Sequence, residues 1–337
     1  MIAPLTAAPL AISLGDPAGI GPELIAEAWA RREEDGLPQF FVCGGATVLA
    51  EAAARRGLEV PIIVIAAPDE AAAAFARGLP VFGGIDAPYR PGAPDSAGAG
   101  LALASLAQAA ALTVSGDAAG LVTGPVAKAR LAEVGFDHPG QTEFVSYACG
   151  MAPGDAVMML AGPQLRTVPL TVHVALSAVP AMITTELILS KARIVWAALQ
   201  RDFGIVSPRI AVAALNPHAG EDGRMGIEDT DVIAPAIAAL QAEGIAATGP
   251  HPADALFAPH ARDSYDVSLC MYHDQALIPL KALDFDAGVN VTLGLPVVRT
   301  SPDHGTAFAI AGTGTARAGA TIAAIRMADE IAARRAT

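Results

Sequence analysis

Aromatic side chains are scarce in this chain: 10 Phe, 4 Tyr and 2 Trp among 337 residues. A surface that stacks nucleic-acid bases needs such rings. Basic residues are also few, 21 Lys and Arg against 34 Asp and Glu, and the net charge of -13 has the wrong sign for a phosphate backbone. Together these exclude nucleic acid as the expected partner. They leave room for a small phosphorylated ligand, because a few cations in a cleft decide that locally. Only three cysteines occur, Cys43, Cys149 and Cys270, and none forms a CxxC pair. This is the pattern of buried thiols in a reducing compartment and not of a disulfide framework. The opening MIAPLTAAPLAISLG has no basic region before its apolar residues and reads as no signal peptide. The longest apolar stretch, Ala97–Val114, is mostly alanine and is broken by Ser105 and Gln108, so it predicts a buried helix and not a membrane span. A cytoplasmic location is expected. No internal repeat and no long charge run occurs.

What is present is apolar material, 53% of the residues, over a length natural for two domains. Short β-branched runs predict strands at 10–14, 40–43, 62–65, 120–123, 156–160, 167–173, 209–215 and 266–272. Helical patterns fall at 22–34, 98–112, 186–203, 230–243 and 315–335, with Pro22 at a helix start and Gly204 and Gly244 at helix ends. Such alternation predicts an α/β fold with a largely parallel sheet and helices on both faces. The stretch Gly83–Gly100, rich in Pro and Gly, reads as a loop.

In open α/β sheets, ligands bind beyond the carboxyl ends of strands. Polar clusters fall there repeatedly: Gly15-Asp16-Pro17 after the first strand, Gly124-Pro125-Val126-Ala127-Lys128 after the fourth, His173 at the end of the sixth, Asn216-Pro217-His218-Ala219-Gly220-Glu221 after the seventh and His273-Asp274-Gln275 after the eighth. Neutral imidazole suits a borderline divalent ion such as zinc or cobalt, and three protein ligands leave a coordination position open for substrate. Glu221 and Asp274 are candidate orienters of the rings beside them. The alternative is that each histidine is a hydrogen-bonded loop residue. His251 and His260, in GPHPADALFAPHARDS, read as surface loop residues. The turn Gly15–Glu23 is either an anion-holding strand-to-helix loop or a plain turn, since it lacks GxGxxG spacing. Because cations are scarce, Lys281, Asn290 and Arg299 among polar glycines suggest an anion pocket, with Arg able to grip a phosphate or carboxylate in bidentate fashion.

The motifs GDPAGIGPE, GPVAK, GQTEF, NPHAGEDGRMGIED, DVSLCMYHDQALIPLK and GVNVTLGLPVVRTSPDHGTAFAIAG resemble those of the 4-hydroxythreonine-4-phosphate dehydrogenase family of vitamin B6 synthesis, from about residue 10 to 330. That family is similar in fold to isocitrate and isopropylmalate dehydrogenases, whose adenosine-binding loop HGSAPDIAG looks like His304–Gly312. The resemblance implies two α/β/α domains with an active-site cleft between them, not a classical Rossmann fold. The first domain would be 1–125 plus 300–337, contributing to NAD or NADP binding. The second would be 126–299, carrying the metal ligands and a homodimer interface. By the same resemblance, His173, His218 and His273 hold one zinc, magnesium or cobalt ion, with the third histidine coming from the partner subunit. Gln141, Thr142, Lys281, Asn290 and Arg299 contact substrate, and Asp303, His304, Gly305, Thr306 and Ala307 contact the cofactor. The family most often reads GHTE where this chain has Gly140-Gln141-Thr142-Glu143; Gln141 can hydrogen-bond a phosphate but cannot act as a cation.

The expected chemistry is oxidation and decarboxylation of 4-phosphohydroxy-L-threonine, with Lys281 or Asp274 taking the hydroxyl proton. The nearest rivals are the same chemistry on 4-phosphothreonate, 4-phosphoerythronate or an aromatic cis-dihydrodiol dicarboxylate. A metal-dependent hydrolase would need metal but not NAD, and a phosphate-ligand binding module would bind without turnover.

Overall fold

In the computed structural model the described residues are 8–152 and 154–337; the N-terminal stretch 1–7, read above for a leader, lies outside them. The chain divides into two compact units, one running to residue 153 and resuming over Leu295–Thr337, the other Gly154–Gly294.

The first unit carries β1 (Leu10–Ser13), β2 (Phe40–Cys43), β3 (Ile62–Ile65), β4 (Leu79–Phe82) and β5 (Leu121–Thr123), and the second carries β6 (Val157–Ala161), β7 (Arg166–Thr171), β8 (Arg209–Ala213), β9 (Ala246–His251), β10 (Val267–Tyr272) and β11 (Val289–Leu293); β12 (Arg299–Pro302) belongs to the first. In the first unit the strands run β3-β4-β2-β1-β5-β12, all parallel. β1 and β2 are buried throughout, with Phe40 and Phe41 fully enclosed. Each large apolar side chain so buried is worth about 1.5–3 kcal/mol. The order reverses at β1, between β2 and β5, so the ends of β1 and β5 form a switch point of the kind that binds ligands in open α/β sheets.

In the second unit the order is β11-β6-β7-β10-β8-β9. Here β6 is antiparallel to both neighbours, while β7, β10, β8 and β9 are mutually parallel. The expected parallel sheet is therefore interrupted at β6. The reason is local: only four residues separate β6 from β7, enough for a hairpin and too few for a crossover.

Helix ends follow the punctuation read from the sequence. Pro22 sits in the first turn of the helix Gly21–Ala30, and Gly204 caps the helix Thr185–Phe203 in left-handed backbone with φ 67°. The apolar stretch forms the helix Ser96–Ser115, capped by Asp95, whose carboxylate accepts from Gly98 N at 2.8 Å. It is the one helix among the described residues long and apolar enough to cross a membrane, and about half of it is buried against the protein itself. The C-terminal helix begins at Gly319, four residues later than the periodicity suggests. Four strands were not expected: β4, β9, β11 and β12. His251 closes β9, its Nε2 2.9 Å from Thr248 Oγ1, and His260 lies in the short helix Pro259–Arg262, so neither is the loop residue it resembled in sequence.

Candidate active site

The carboxyl ends of β7, β10 and β8 lie side by side, with β10 in the middle. His173 follows β7 by two residues, His273 follows β10 directly, and His218 follows β8 by five. Sequence spacing places three histidines at strand ends; the pairing makes those strands neighbours, about 4.8 Å apart. The rings of His173 and His273 approach to 5.6 Å between centroids. Two imidazoles sharing one tetrahedral ion through metal–nitrogen bonds of about 2.1 Å have their centroids about 5 Å apart, so the separation is near what an ion shared within one chain would require. Thr171, His173, Val174, Leu176, Val179, Tyr272, His273 and Asp274 line a cavity of about 230 Å³. Among the described residues of one chain, no group of three or more His, Cys, Asp or Glu gathers around a common point.

The backbone here is unusual. His173 (φ 54°) and His218 (φ 53°) both stand in the left-handed region, and positive φ continues unbroken from His218 to Gly223. A left-handed run costs roughly 1–2 kcal/mol for each residue with a Cβ, and such strain persists only where surrounding structure holds it, most often at functional sites. His273 is held differently, at the first position of the helix His273–Asp284, where Nδ1 donates to Asp274 Oδ1 at 2.7 Å. In a neutral ring that bond places the proton on Nδ1, so Nε2 is the atom that would meet an ion. Asp274 and Lys281 are seven residues apart on this helix and therefore share a face, with exposed Ile278 between them. Asn290 lies in β11, opposite Leu160 of β6.

Sequence reasoning gave no role to two residues that secure these strand ends. Gln275 is 8% exposed; its Oε1 accepts from Met271 N at 2.7 Å and its Nε2 donates to Ala214 O at 2.8 Å, tying the end of β10 to the end of β8. Asp229, 1% exposed, accepts from the backbone of Leu215 and Asn216 at 2.8 and 3.1 Å. Both lie inside recognisable motifs, but a Gln and an Asp there read as side chains facing water until the strands are placed.

The first unit holds a second cluster. Arg299, the first residue of β12, is 4% exposed. Its Nη2 donates to Thr123 Oγ1 at 2.8 Å and to Gln141 Oε1 at 3.1 Å, and its Nη1 to Thr142 Oγ1 at 3.3 Å. Gln141 Nε2 in turn donates to Gly124 O at 3.0 Å. Burial pushes the guanidinium down to about 10, with Glu143 opposing, so the group stays cationic at neutral pH. Gln141 and Thr142 open the helix Gln141–Ala148, whose N-terminal amides add to the pull on an anion.

The glycines of the first turn are explained by close backbone contact. A Cβ on Gly15 would lie 2.6 Å from Pro125 O, and one on Gly19 would lie 2.7 Å from Thr306 O. Ile20 N donates to that same Thr306 O at 3.0 Å, so this turn seats the loop Asp303–Ala307, in which Ala307 is left-handed with φ 47°. Asp16, 3% exposed, accepts from Ala18 N at 3.0 Å, and burial raises its carboxyl above the ordinary carboxylate range.

This chain matches the family model of the pyridoxal phosphate biosynthetic protein PdxA over residues 37–328. It is 62% identical to the 4-hydroxythreonine-4-phosphate dehydrogenase of Erythrobacter litoralis, over 97% of this chain and 98% of that protein. The crystal structure of the Klebsiella pneumoniae 4-hydroxythreonine-4-phosphate dehydrogenase superposes with a TM-score of 0.83 at 36% identity, covering 96% of this chain and 99% of that one. A terephthalate 1,2-cis-dihydrodiol dehydrogenase from Burkholderia xenovorans superposes with a TM-score of 0.63 at 29% identity, covering 95% and 97%. The class is thus an α/β dehydrogenase. Within it, the chain belongs to the PdxA family.

Proposed function

We propose that this dehydrogenase oxidises 4-phosphohydroxy-L-threonine at its secondary hydroxyl, passes the hydride to NAD or NADP, and releases carbon dioxide to leave 3-amino-2-oxopropyl phosphate for pyridoxal phosphate synthesis in the cytoplasm. The observation that carries this reading is the left-handed backbone of His173 and His218, on the strand ends that flank His273. Strain at two would-be ligands is hard to account for if they are ordinary loop residues. His173, His218 and His273 would hold a divalent ion, whether zinc, magnesium or cobalt, which when bound would supply Lewis acidity toward the substrate hydroxyl. Arg299, Thr142 and the amides at the start of the helix Gln141–Ala148 grip the phosphate, Gln141 completes that pocket, and Asn290 orients the substrate. Lys281 or Asp274 accepts the hydroxyl proton. Asp303, His304, Gly305, Thr306 and Ala307 hold the cofactor.

In this reading two copies of the chain assemble, and His273 serves the ion of its partner. Exposed Val172, Val174 and Leu176, which flank His173 in the chain, offer apolar surface that a second copy would cover. The proximity of His173 and His273 within one chain makes a single-chain arrangement the rival to be separated. The direct test is NADH formation from 4-phosphohydroxy-L-threonine with and without a chelator. Turnover that survives complete metal removal would sink the metal role, and product formed without NAD would sink the dehydrogenase step. 4-Phosphothreonate, 4-phosphoerythronate and an aromatic cis-dihydrodiol dicarboxylate belong in the same assay, and a higher kcat/KM on any of them reassigns the substrate.

A further inference from the structure

The six residues from His218 to Gly223 all have positive φ: 53°, 53°, 79°, 44°, 55° and 83°. Four of them, His218, Ala219, Glu221 and Asp222, carry a Cβ, and left-handed runs of such residues do not persist unaided. What lies beneath the turn is a single buried carboxylate. Asp229 Oδ1 accepts from Leu215 N at 2.8 Å; Oδ2 accepts from Asn216 N at 3.1 Å and from Asn216 Nδ2 at 2.9 Å. Asn216 Nδ2 also donates to Glu228 Oε2 at 2.8 Å. The fit is close: a Cβ on Gly220 would lie 2.9 Å from Gly226 O and 3.4 Å from Asp229 Oδ2, and one on Gly226 would lie 2.5 Å from Asn216 Nδ2.

We propose that Asp229, through Asn216, is a positioning residue that holds the left-handed turn 218–223 and so aims His218 at its ion. Asp229 is 1% exposed and its two carboxylate oxygens are taken up by Leu215 N, Asn216 N and Asn216 Nδ2, so it acts through the residues it binds. The carboxylate suits this task because it has only acceptors, and three N–H donors converge on it. An amide in its place would turn a donor toward N–H groups that need acceptors. This inference rests on the reading of His218 as a metal ligand.

The test compares Asp229→Asn with the native chain and with His218→Ala, measuring cobalt affinity by calorimetry and hydrogen exchange of the amides 215–223. Asp229→Asn is expected to weaken cobalt binding by about ten- to a hundredfold, the usual range for residues that orient a ligand, and to speed exchange across the turn. Adding Ala219→Gly to Asp229→Asn should recover part of the affinity, since glycine adopts positive φ without steric cost; a merely global loss of stability would not be corrected this way. Native cobalt affinity and native exchange in Asp229→Asn would overturn the proposal. If His218→Ala binds cobalt as the native chain does, the metal reading fails; positioning of the turn is then decided by exchange alone, faster exchange supporting it and unchanged exchange overturning it. Should Asp229→Asn not fold, Asn216→Ala, which keeps the backbone bond from Leu215 to Asp229, is judged by the same two measurements and the same outcomes.

Discussion

Arg299 and Gln141, 158 residues apart, are joined by a hydrogen bond of 3.1 Å, and Gln141 spends its other polar atom on Gly124 O. Gln141 therefore braces the arginine against the loop after β5. Gln141→Leu removes one acceptor from a buried cation and leaves Gly124 O without this donor, and a lost bond to a charged group costs about 1.5–3 kcal/mol. The expected outcome is a rise of about tenfold or more in KM for the phosphorylated substrate, with a smaller change in kcat. An unchanged KM would show that Thr123 and Thr142 suffice to hold Arg299.

Arg299→Lys keeps the charge but loses the planar fork that reaches Thr123, Gln141 and Thr142 together. kcat/KM should fall by about 2 kcal/mol or more in transition-state binding. The pH dependence should also change. Burial already pushes Arg299 down to about 10, still well above neutrality, so it stays charged up to pH 9. The same burial would lower a lysine from a smaller starting value, so the variant should lose further substrate affinity as pH rises toward 9 while the native chain does not. Parallel pH profiles for the two proteins would refute this.

Mixing inactive His218→Ala and His273→Ala chains separates shared sites from single-chain sites. If His273 acts across a dimer, each mixed dimer has one site with both defects and one intact site. Random reassociation should then restore about a quarter of native activity. If each chain uses its own His273, both sites in the mixed dimer are defective and no activity returns.

Glu23 is fully buried, with its nearest cation, Arg56 Nη1, at 3.6 Å. Desolvation raises its carboxyl above the ordinary 4.5, with Arg56 opposing. A raised folded pKa means the folded state binds the proton more tightly, so stability declines as pH rises from about 4.5 through the folded value and stays lowered above it. Glu23→Gln should therefore raise Tm at pH 8 and lose that advantage near pH 4; Arg56 keeps Glu27 and Ala316 O as partners. A Tm gain of equal size at both pH values would rule out the ionisation as its cause.

Much of the fold was legible because short apolar runs such as Leu10–Ser13 and Phe40–Cys43, buried at every position, stand out between polar turns. The strands that escaped are those whose residues advertise something else. β4 contains Pro80, β9 contains Gly249 and Pro250, and β11 and β12 carry Asn290 and Arg299, which read as pocket residues before they read as strand. The helices Gln141–Ala148 and His273–Asp284 were hidden in the same way, the first inside a binding motif and the second by Pro279 within it.

The sequence by itself determined which residue types stand at the strand ends, because alternation of apolar runs with polar turns is a local property of the chain. It determined His173, His218 and His273 as candidates on that basis, and Arg299 because cations are scarce and this one stands among polar glycines. Only the tertiary structure decided which strand ends are neighbours. The order β7-β10-β8 sets the strand ends that precede His173, His273 and His218 side by side, β5 beside β12 brings Thr123 to Arg299, and Asp229 meets the backbone of Leu215 and Asn216. These relations depend on hydrogen-bonded pairing across 13 to 176 residues of sequence, where no local periodicity carries information.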